Sequence, residues 1–391
     1  MIIAPAQRLN AVEEYYFSRK LAEIRRRTAA GEDIINLGIG NPDLPPPEEG
    51  PQRLAQAAGD PQSHGYQPYT GIPALRSAFA GWYAQTYGVQ LDPEREILPL
   101  MGSKEGIMHL SMAFLNPGDR VLVPNPGYPT YAAAARLLGA EVLEYELSAN
   151  GRWLPDLHAL SAGGLEGVKL MWVNYPHMPT GALAPAAWYP ELIAFARRHS
   201  ILLASDNPYS LVLNPQPLSL LGFPGARELA VELNSLSKSH NMAGWRVGMM
   251  AGAEGYVQAV LRVKSNMDSG MFLPVQAAAA AALGASPAWH EARNAQYRQR
   301  REQVWALFRR LGCHFSEDQA GLFVWAGIPE GFADGFAFSD HLLDQFQIFM
   351  TPGGVFGSAG RSYIRASLCA PEARLAAALL RAEGGKSFSG L

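Results

Sequence analysis

Lys238 stands among hydroxyls and a cation, in Ser235-Leu-Ser237-Lys238, with Arg246 eight positions later in Gly244-Trp-Arg-Val-Gly248. A lysine amine at the end of a strand can form a Schiff base with a carbonyl cofactor. Two serines and an arginine are what a phosphate needs, because a guanidinium offers several donors in a fixed fork. On its own the segment also reads as a surface lysine beside a serine-rich turn. Gly102-Ser103-Lys104-Glu105-Gly106 is a second phosphate candidate, since it follows the apolar run Ile97–Met101 and opens a helical pattern. Free N–H groups and the positive dipole end at a helix start bind anions, although an ordinary helix cap would look the same. Asp206, in Ala204-Ser-Asp-Asn-Pro-Tyr209, follows the apolar run Ile201–Ala204 and lies 32 positions before Lys238. Arg365, in Ser362-Tyr-Ile-Arg-Ala-Ser-Leu368, puts a cation in an apolar strand, where it needs a partner if buried.

These residues must be positioned by repeating elements. Short apolar runs at Arg120–Val123, Glu141–Tyr145, Val168–Val173, Ile201–Ser205, Leu229–Leu233 and Val247–Ala251 alternate with helical patterns such as Gly106–Phe114, Tyr131–Leu138, Glu191–Arg198 and Tyr256–Lys264. That alternation predicts an α/β fold with a largely parallel sheet flanked by helices, whose ligands sit beyond the C-terminal strand ends. An Arg- and Gln-rich helix from about Trp289 to Leu311 is expected to lead into a smaller α+β domain, with signals at Leu322–Ala326, His341–Phe346 and Tyr363–Leu368. The division expected is residues 1–45 as an N-terminal arm and part of the small domain, 46–288 as the large cofactor domain, and 289–391 as the linking helix and C-terminal small domain. A helical arm is expected around Ala11–Arg26, and the tail Gly384–Leu391 is expected to fray.

Composition narrows the function. The 391 residues are 48% hydrophobic and 17% charged, which is the balance of a chain with a large core. A net charge of -3 gives no electrostatic case for nucleic acid or an anionic membrane. Two cysteines, Cys313 and Cys369, are too few for a disulfide framework or a cysteine-built metal site, and no metal is expected. With no basic start and apolar core at the N-terminus, and no stretch near ~20 uncharged apolar residues, the expected location is the cytoplasm. The stretch Met271 to Ala285 is expected to be a tightly packed internal helix.

The pattern Ser-x-Ser-Lys-x7-Arg-x-Gly resembles the lysine signature of class I/II aminotransferases, which are fold type I pyridoxal-phosphate enzymes. The resemblance runs from about Ala11 to Leu368. Ser265-Asn-Met-Asp-Ser-Gly-Met-Phe272 looks closest to the branch of alanine, methionine and LL-diaminopimelate aminotransferases. It implies a large domain with a mostly parallel seven-stranded sheet. It makes Lys238 the residue that holds pyridoxal 5'-phosphate, and Asp206 the anion opposite the ring nitrogen. Tyr209 becomes a donor to the ring's phenolic oxygen, and Tyr128, in Pro124-Asn-Pro-Gly-Tyr-Pro129, the stacking aromatic. Gly102, Ser103, Lys104 (through its backbone N–H), Ser235, Ser237 and Arg246 form the phosphate cup. Arg365 takes the substrate α-carboxylate, and Gly40, in Asn36-Leu-Gly-Ile-Gly40-Asn-Pro-Asp43, brings backbone close to the substrate. Tyr66, in His64-Gly-Tyr66-Gln-Pro-Tyr69-Thr-Gly71, resembles the residue that donates to a partner subunit's phosphate, which implies a homodimer. Tyr15 or Tyr16 would either reach a substrate or pack the arm.

One position departs from the family. Where relatives read Asn-Pro-Thr-Gly, this chain has Asn174-Tyr-Pro-His-Met178-Pro-Thr-Gly181, and a thioether cannot donate the hydrogen bond that the asparagine gives the phenolic oxygen. Asn174 and His177 are the two candidates to replace it. The activity implied is transfer of an amino group from an L-amino acid to a 2-oxo acid. A carbon–sulfur β-lyase of the same fold shares the core residues. A cofactor-binding transcription regulator would need a DNA-binding domain, for which ~45 residues ahead of the cofactor domain leave no room.

Overall fold

The computed structural model describes residues 3–12 and 16–384. Its centre is a seven-stranded sheet in the order Ile97–Leu100, Gly248–Gly252, Ala230–Ser235, Leu202–Asp206, Val168–Val173, Arg120–Asn125 and Glu141–Glu146. Gly248–Gly252 runs antiparallel to both neighbours and the remaining pairings are parallel. Four of these strands are buried along their whole length, as expected of a sheet covered on both faces. One face packs against a core containing Phe79, Trp82, Tyr83 and Met249, and the other against Ile107, Leu110, Tyr131 and Val260.

A separate core gathers Leu37, Trp305, Phe308, Trp325, Phe338 and Ile364 around the three-stranded sheet Thr351–Pro352, Tyr363–Ser367 and Phe323–Gly327. The N-terminal segment joins it, because Ile35–Asn36 pairs in parallel with Ile348–Phe349. The helix Pro287–Arg310 runs between the two regions. Leu273–Ala282 forms the expected internal helix, with most of its alanines buried. The arm consists of a short turn at Gln7–Ala11 and a helix at Tyr16–Ala29. Tyr15, and all of the tail after Gly384, lie outside the described residues. Among the described residues no helix is long and apolar enough to cross a membrane.

Candidate active site

The ends of Leu202–Asp206 and Ala230–Ser235, the segments following Arg120–Asn125 and Val168–Val173, and Arg246 just before Gly248–Gly252 line a cavity of about 380 Å3. At one end, Gly102 adopts φ of +84°, and a β-carbon on it would lie 2.3 Å from Arg246 Nη2. Only glycine allows that approach without strain. The turn lets Ser103 open the helix Ser103–Phe114, and the Glu105 carboxylate accepts the Met101 N–H. Ser103 and Lys104 therefore present a helix start to the cavity wall. Opposite them, Ser235 Oγ lies 2.9 Å from Ser237 Oγ, and Arg246 Nη1 lies 3.4 Å from Ser237 Oγ. A β-carbon on Gly248 would press within 2.9 Å of the Ser103 N, so that glycine seats the strand against the helix start. These donors make a cup suited to a phosphate.

Lys238 lies on the single helical turn Leu236–Ser239 that follows the strand Ala230–Ser235. Its ammonium donates to the Gly40 carbonyl. Burial lowers its pKa below the ordinary lysine value, and Arg365 and Arg246 push the same way against an upward pull from Cys369. A β-carbon on Gly40 would sit 2.2 Å from the Phe323 ring, so this backbone reaches the cavity only as glycine.

Asp206 ends the strand Leu202–Asp206 and is buried. Its Oδ2 accepts a hydrogen bond of 2.7 Å from Tyr131, and its buried Oδ1 has no partner among the described residues. Burial raises its pKa to about 7, with Glu232 adding in the same direction and the Tyr131 hydrogen bond opposing. Tyr128 and Tyr209 also line the cavity. Arg365 is only 4% exposed. Its Nη2 donates to the Gly38 carbonyl at 2.9 Å, and its guanidinium lies 3.7 Å and 4.6 Å over the rings of Phe323 and Phe356.

The fold thus gathers Gly40, the phosphate-cup residues, Tyr128, Asp206, Tyr209, Lys238 and Arg365 in one place. Tyr66 is not among them, being 92% exposed on the outer surface. Tyr16 packs edge-on against Phe336 rather than facing the cavity, whereas its neighbour Phe17 lines it. Met178 lines the cavity too, with its sulfur 3.2 Å from Arg365 Nη1. His177 does not line the cavity; its Nδ1 is paired to Thr180 Oγ1 at 2.8 Å and burial lowers its pKa to about 3. Asn174 reaches the wall, but its amide donates to the Asp206 carbonyl and its Oδ1 accepts the Met178 N–H at 2.8 Å. Sequence reasoning missed Tyr131, Phe17, Ile39, Phe323 and Phe356. The one available signal was the spacing of Tyr131, three residues after Tyr128 at the start of the helix Thr130–Leu137.

An open carboxylate oxygen for a protonated ring nitrogen, a donor-rich cup and a buried amine in one cavity fit pyridoxal phosphate. This sheet with this site defines a fold type I pyridoxal-phosphate enzyme. The chain belongs to the aminotransferase class I and II family, whose model matches residues 32–381. It is 40% identical over 386 residues to an LL-diaminopimelate aminotransferase of Dehalococcoides mccartyi, covering 98% of this chain and 99% of that one. An LL-diaminopimelate aminotransferase of Oleidesulfovibrio alaskensis is 42% identical over 96% of this chain and 97% of its own. Among solved structures, substrate-bound BacF from Bacillus subtilis superposes with a TM-score of 0.94 at 37% identity, covering 98% of each chain. A probable N-succinyldiaminopimelate aminotransferase of Thermus thermophilus gives 0.87 at 35% identity, over 94% of this chain and 100% of that one. The protein is accordingly a pyridoxal-phosphate-dependent aminotransferase acting on amino acids and 2-oxo acids, and the β-lyase reading is not favoured.

Proposed function

We propose that Lys238 carries the cofactor, that Arg365 takes the α-carboxylate of an L-amino acid or 2-oxo acid, and that two such sites are completed across a homodimer. The observation that carries the reading is the convergence of Lys238, the open oxygen of Asp206, the phosphate cup and Arg365 on one cavity. When bound, the cofactor supplies a carbonyl carbon for a Schiff base and a conjugated ring that accepts the electrons left by a departing Cα proton. Ser103, Ser235, Ser237, Arg246 and the N–H groups following Gly102 hold its phosphate, and Lys104 belongs to that helix start. Tyr128 would stack on the cofactor ring, Tyr209 would donate to its phenolic oxygen, and Asp206 would hold negative charge at its ring nitrogen. Arg365 fixes the substrate so that one Cα bond faces the amine. Lys238 Nζ, whose pKa burial lowers, would hold the cofactor covalently and carry a proton to and from the substrate Cα. Gly40 supplies the close backbone beside it.

Near Arg365 the walls are Phe17, Ile39, Phe323 and Phe356, and Asp206 is the only acid lining the cavity among the described residues. A distal ammonium would find no carboxylate there, so an apolar amino-acid side chain suits this chain's walls. Donors such as methionine, leucine and phenylalanine are expected to exceed LL-diaminopimelate in kcat/KM, with 2-oxoglutarate and pyruvate as acceptors. The reverse order would assign side-chain recognition to the partner subunit. Dimerisation is supported by the exposure of Tyr66, Tyr69, Met101, Met267 and Phe272 and by the packing of the 265–272 segment on Gln67. The same reading takes 1–45 with 289–391 as the small domain and 46–288 as the large one, in keeping with their separate cores. The two unpaired cysteines suit the cytoplasm. Borohydride reduction of the cofactor-loaded protein and peptide mapping test the assignment directly. The adduct is expected on Lys238, and an adduct on another lysine overturns it.

A further inference from the structure

We propose that Tyr131 is a positioning residue that decides on which atom the proton sits between Asp206 and the cofactor's ring nitrogen. The inference rests on the reading that Asp206 pairs with that nitrogen. The two oxygens of Asp206 are in different surroundings. Oδ2 is taken by the Tyr131 hydroxyl at 2.7 Å, whereas Oδ1 is buried, without a partner among the described residues, on a side chain that lines the cavity. Tyr131 has little freedom to do anything else. Its ring is buried, stacked on Trp172 at 4.7 Å and 7°, and meets Tyr128 edge-on at 5.6 Å.

A carboxylate and a pyridine nitrogen share one proton, and the pair carries the same number of protons whichever atom holds it. Bulk pH therefore does not choose between the two arrangements; local hydrogen bonds and burial do. Here burial favours the neutral carboxyl, and Glu232 on the adjacent strand adds to that push. The other groups facing Asp206 do not offset it. Burial keeps the Tyr128 and Tyr209 hydroxyls protonated, and the Asn174 amide donates to the Asp206 backbone carbonyl rather than to its carboxylate. Among the described residues, Tyr131 supplies the one side-chain hydrogen bond to the carboxylate. A donor to a carboxylate stabilises its charged form, so Tyr131 moves the proton onto the nitrogen and makes the ring the stronger electron acceptor. It does so through Asp206 and touches no reacting atom.

Tyr131→Phe keeps the ring and its stack on Trp172 and removes one hydroxyl. In the holoenzyme loaded with pyridoxal phosphate labelled with 15N in the ring, the nitrogen resonance is expected to move toward that of a neutral pyridine. A hydrogen bond to a charged group is strong enough to shift the proton equilibrium by on the order of tenfold or more. The dissociation constant for pyridoxal phosphate should rise by a similar factor, while that for its 1-deaza analogue, with carbon at the nitrogen position, should stay the same. An unmoved resonance, or an equal loss for both ligands, means that Tyr131 only fills space and overturns the proposal. If Tyr131→Phe does not fold, 3-fluorotyrosine placed at position 131 alone, as a stronger donor, should move the resonance the opposite way, and no movement overturns the proposal. Asp206→Asn separates the two readings. If it leaves the wild-type nitrogen resonance and both affinities unchanged, the pairing of Asp206 with the nitrogen has itself failed.

Discussion

On the proposed reading, replacing Lys238 by alanine removes both the covalent anchor and the proton carrier, so turnover should fall by orders of magnitude while the fold persists. Asp206 invites a test on stability. Its carboxyl is held up at about 7 in the fold against 3.8 when unfolded, so the folded form retains a proton that the unfolded chain releases. The stabilisation this gives is complete below about pH 4 and is lost as the pH rises through about 7. Asp206→Asn should therefore raise the melting temperature of the cofactor-free protein at pH 8, by roughly 2 °C or more, and much less at pH 4. Differential scanning calorimetry at the two pH values decides this, and an equal change at both would count against a buried titration. Met178 is the third residue-scale case. His177 does not line the cavity and one N–H of the Asn174 amide goes to the Asp206 carbonyl, so on the proposed reading Tyr209 is the main ring-oxygen donor. Met178→Asn adds a donor beside the ring oxygen, stabilises its negative form and eases loss of the Schiff-base proton. The spectroscopic pKa of the holoenzyme should fall by about one pH unit, since a hydrogen bond to a charged group is worth about 1.5–3 kcal/mol. An unchanged titration curve would mean that Arg365, already against the Met178 sulfur, captures the new amide.

The elements act by delivering their ends to one place. Gly102→Ala tests the tightest delivery, because its β-carbon would meet both a positive φ and Arg246 Nη2 at 2.3 Å. Displacing that guanidinium should weaken cofactor binding by about tenfold or more, measured by equilibrium dialysis, with the helix Ser103–Phe114 retained. That helix is anchored from below by charge. Glu105 bonds His109 Nε2 at 2.8 Å, and Lys264, buried, lies 3.5 Å from Glu105 and pairs with Asp268. Most element positions were legible in the sequence, because period-2 and helical patterns are local. The ends were less so. The apolar runs end at Ser205 and Leu233, but the parallel ladder continues to pair Asp206 with Leu233, and antiparallel pairing with Met249 and Gly248 carries the neighbouring strand on to Ser235. Similarly, the helix begins at Ser103 rather than Gly106, because the positive φ at Gly102 turns the chain into it and the Glu105 side chain accepts the N–H of Met101 just ahead of it.

At the scale of the molecule, Tyr66 and Phe272 are 92% and 46% exposed on packed neighbouring segments, so a second copy of the chain is the expected cover. Sedimentation should give a dimer. Phe272→Glu should weaken it and, by withdrawing Tyr66 from the partner's phosphate, lower cofactor affinity as the protein is diluted; a monomer that binds cofactor at full strength would refute the shared site. The succession of strands and helices along the chain, the lysine segment, the glycine turn before the helix and the acid after its strand were determined by the sequence alone, since each depends on neighbours within a few residues. Tertiary structure decided the rest. Tyr131 meets Asp206 across 75 residues and Arg365 meets Met178 across 187, while Phe17, Phe323 and Phe356 come from separate elements to one wall. Such contacts leave no periodic trace in the chain, because they exist only once packing has brought distant segments within hydrogen-bond and van der Waals reach.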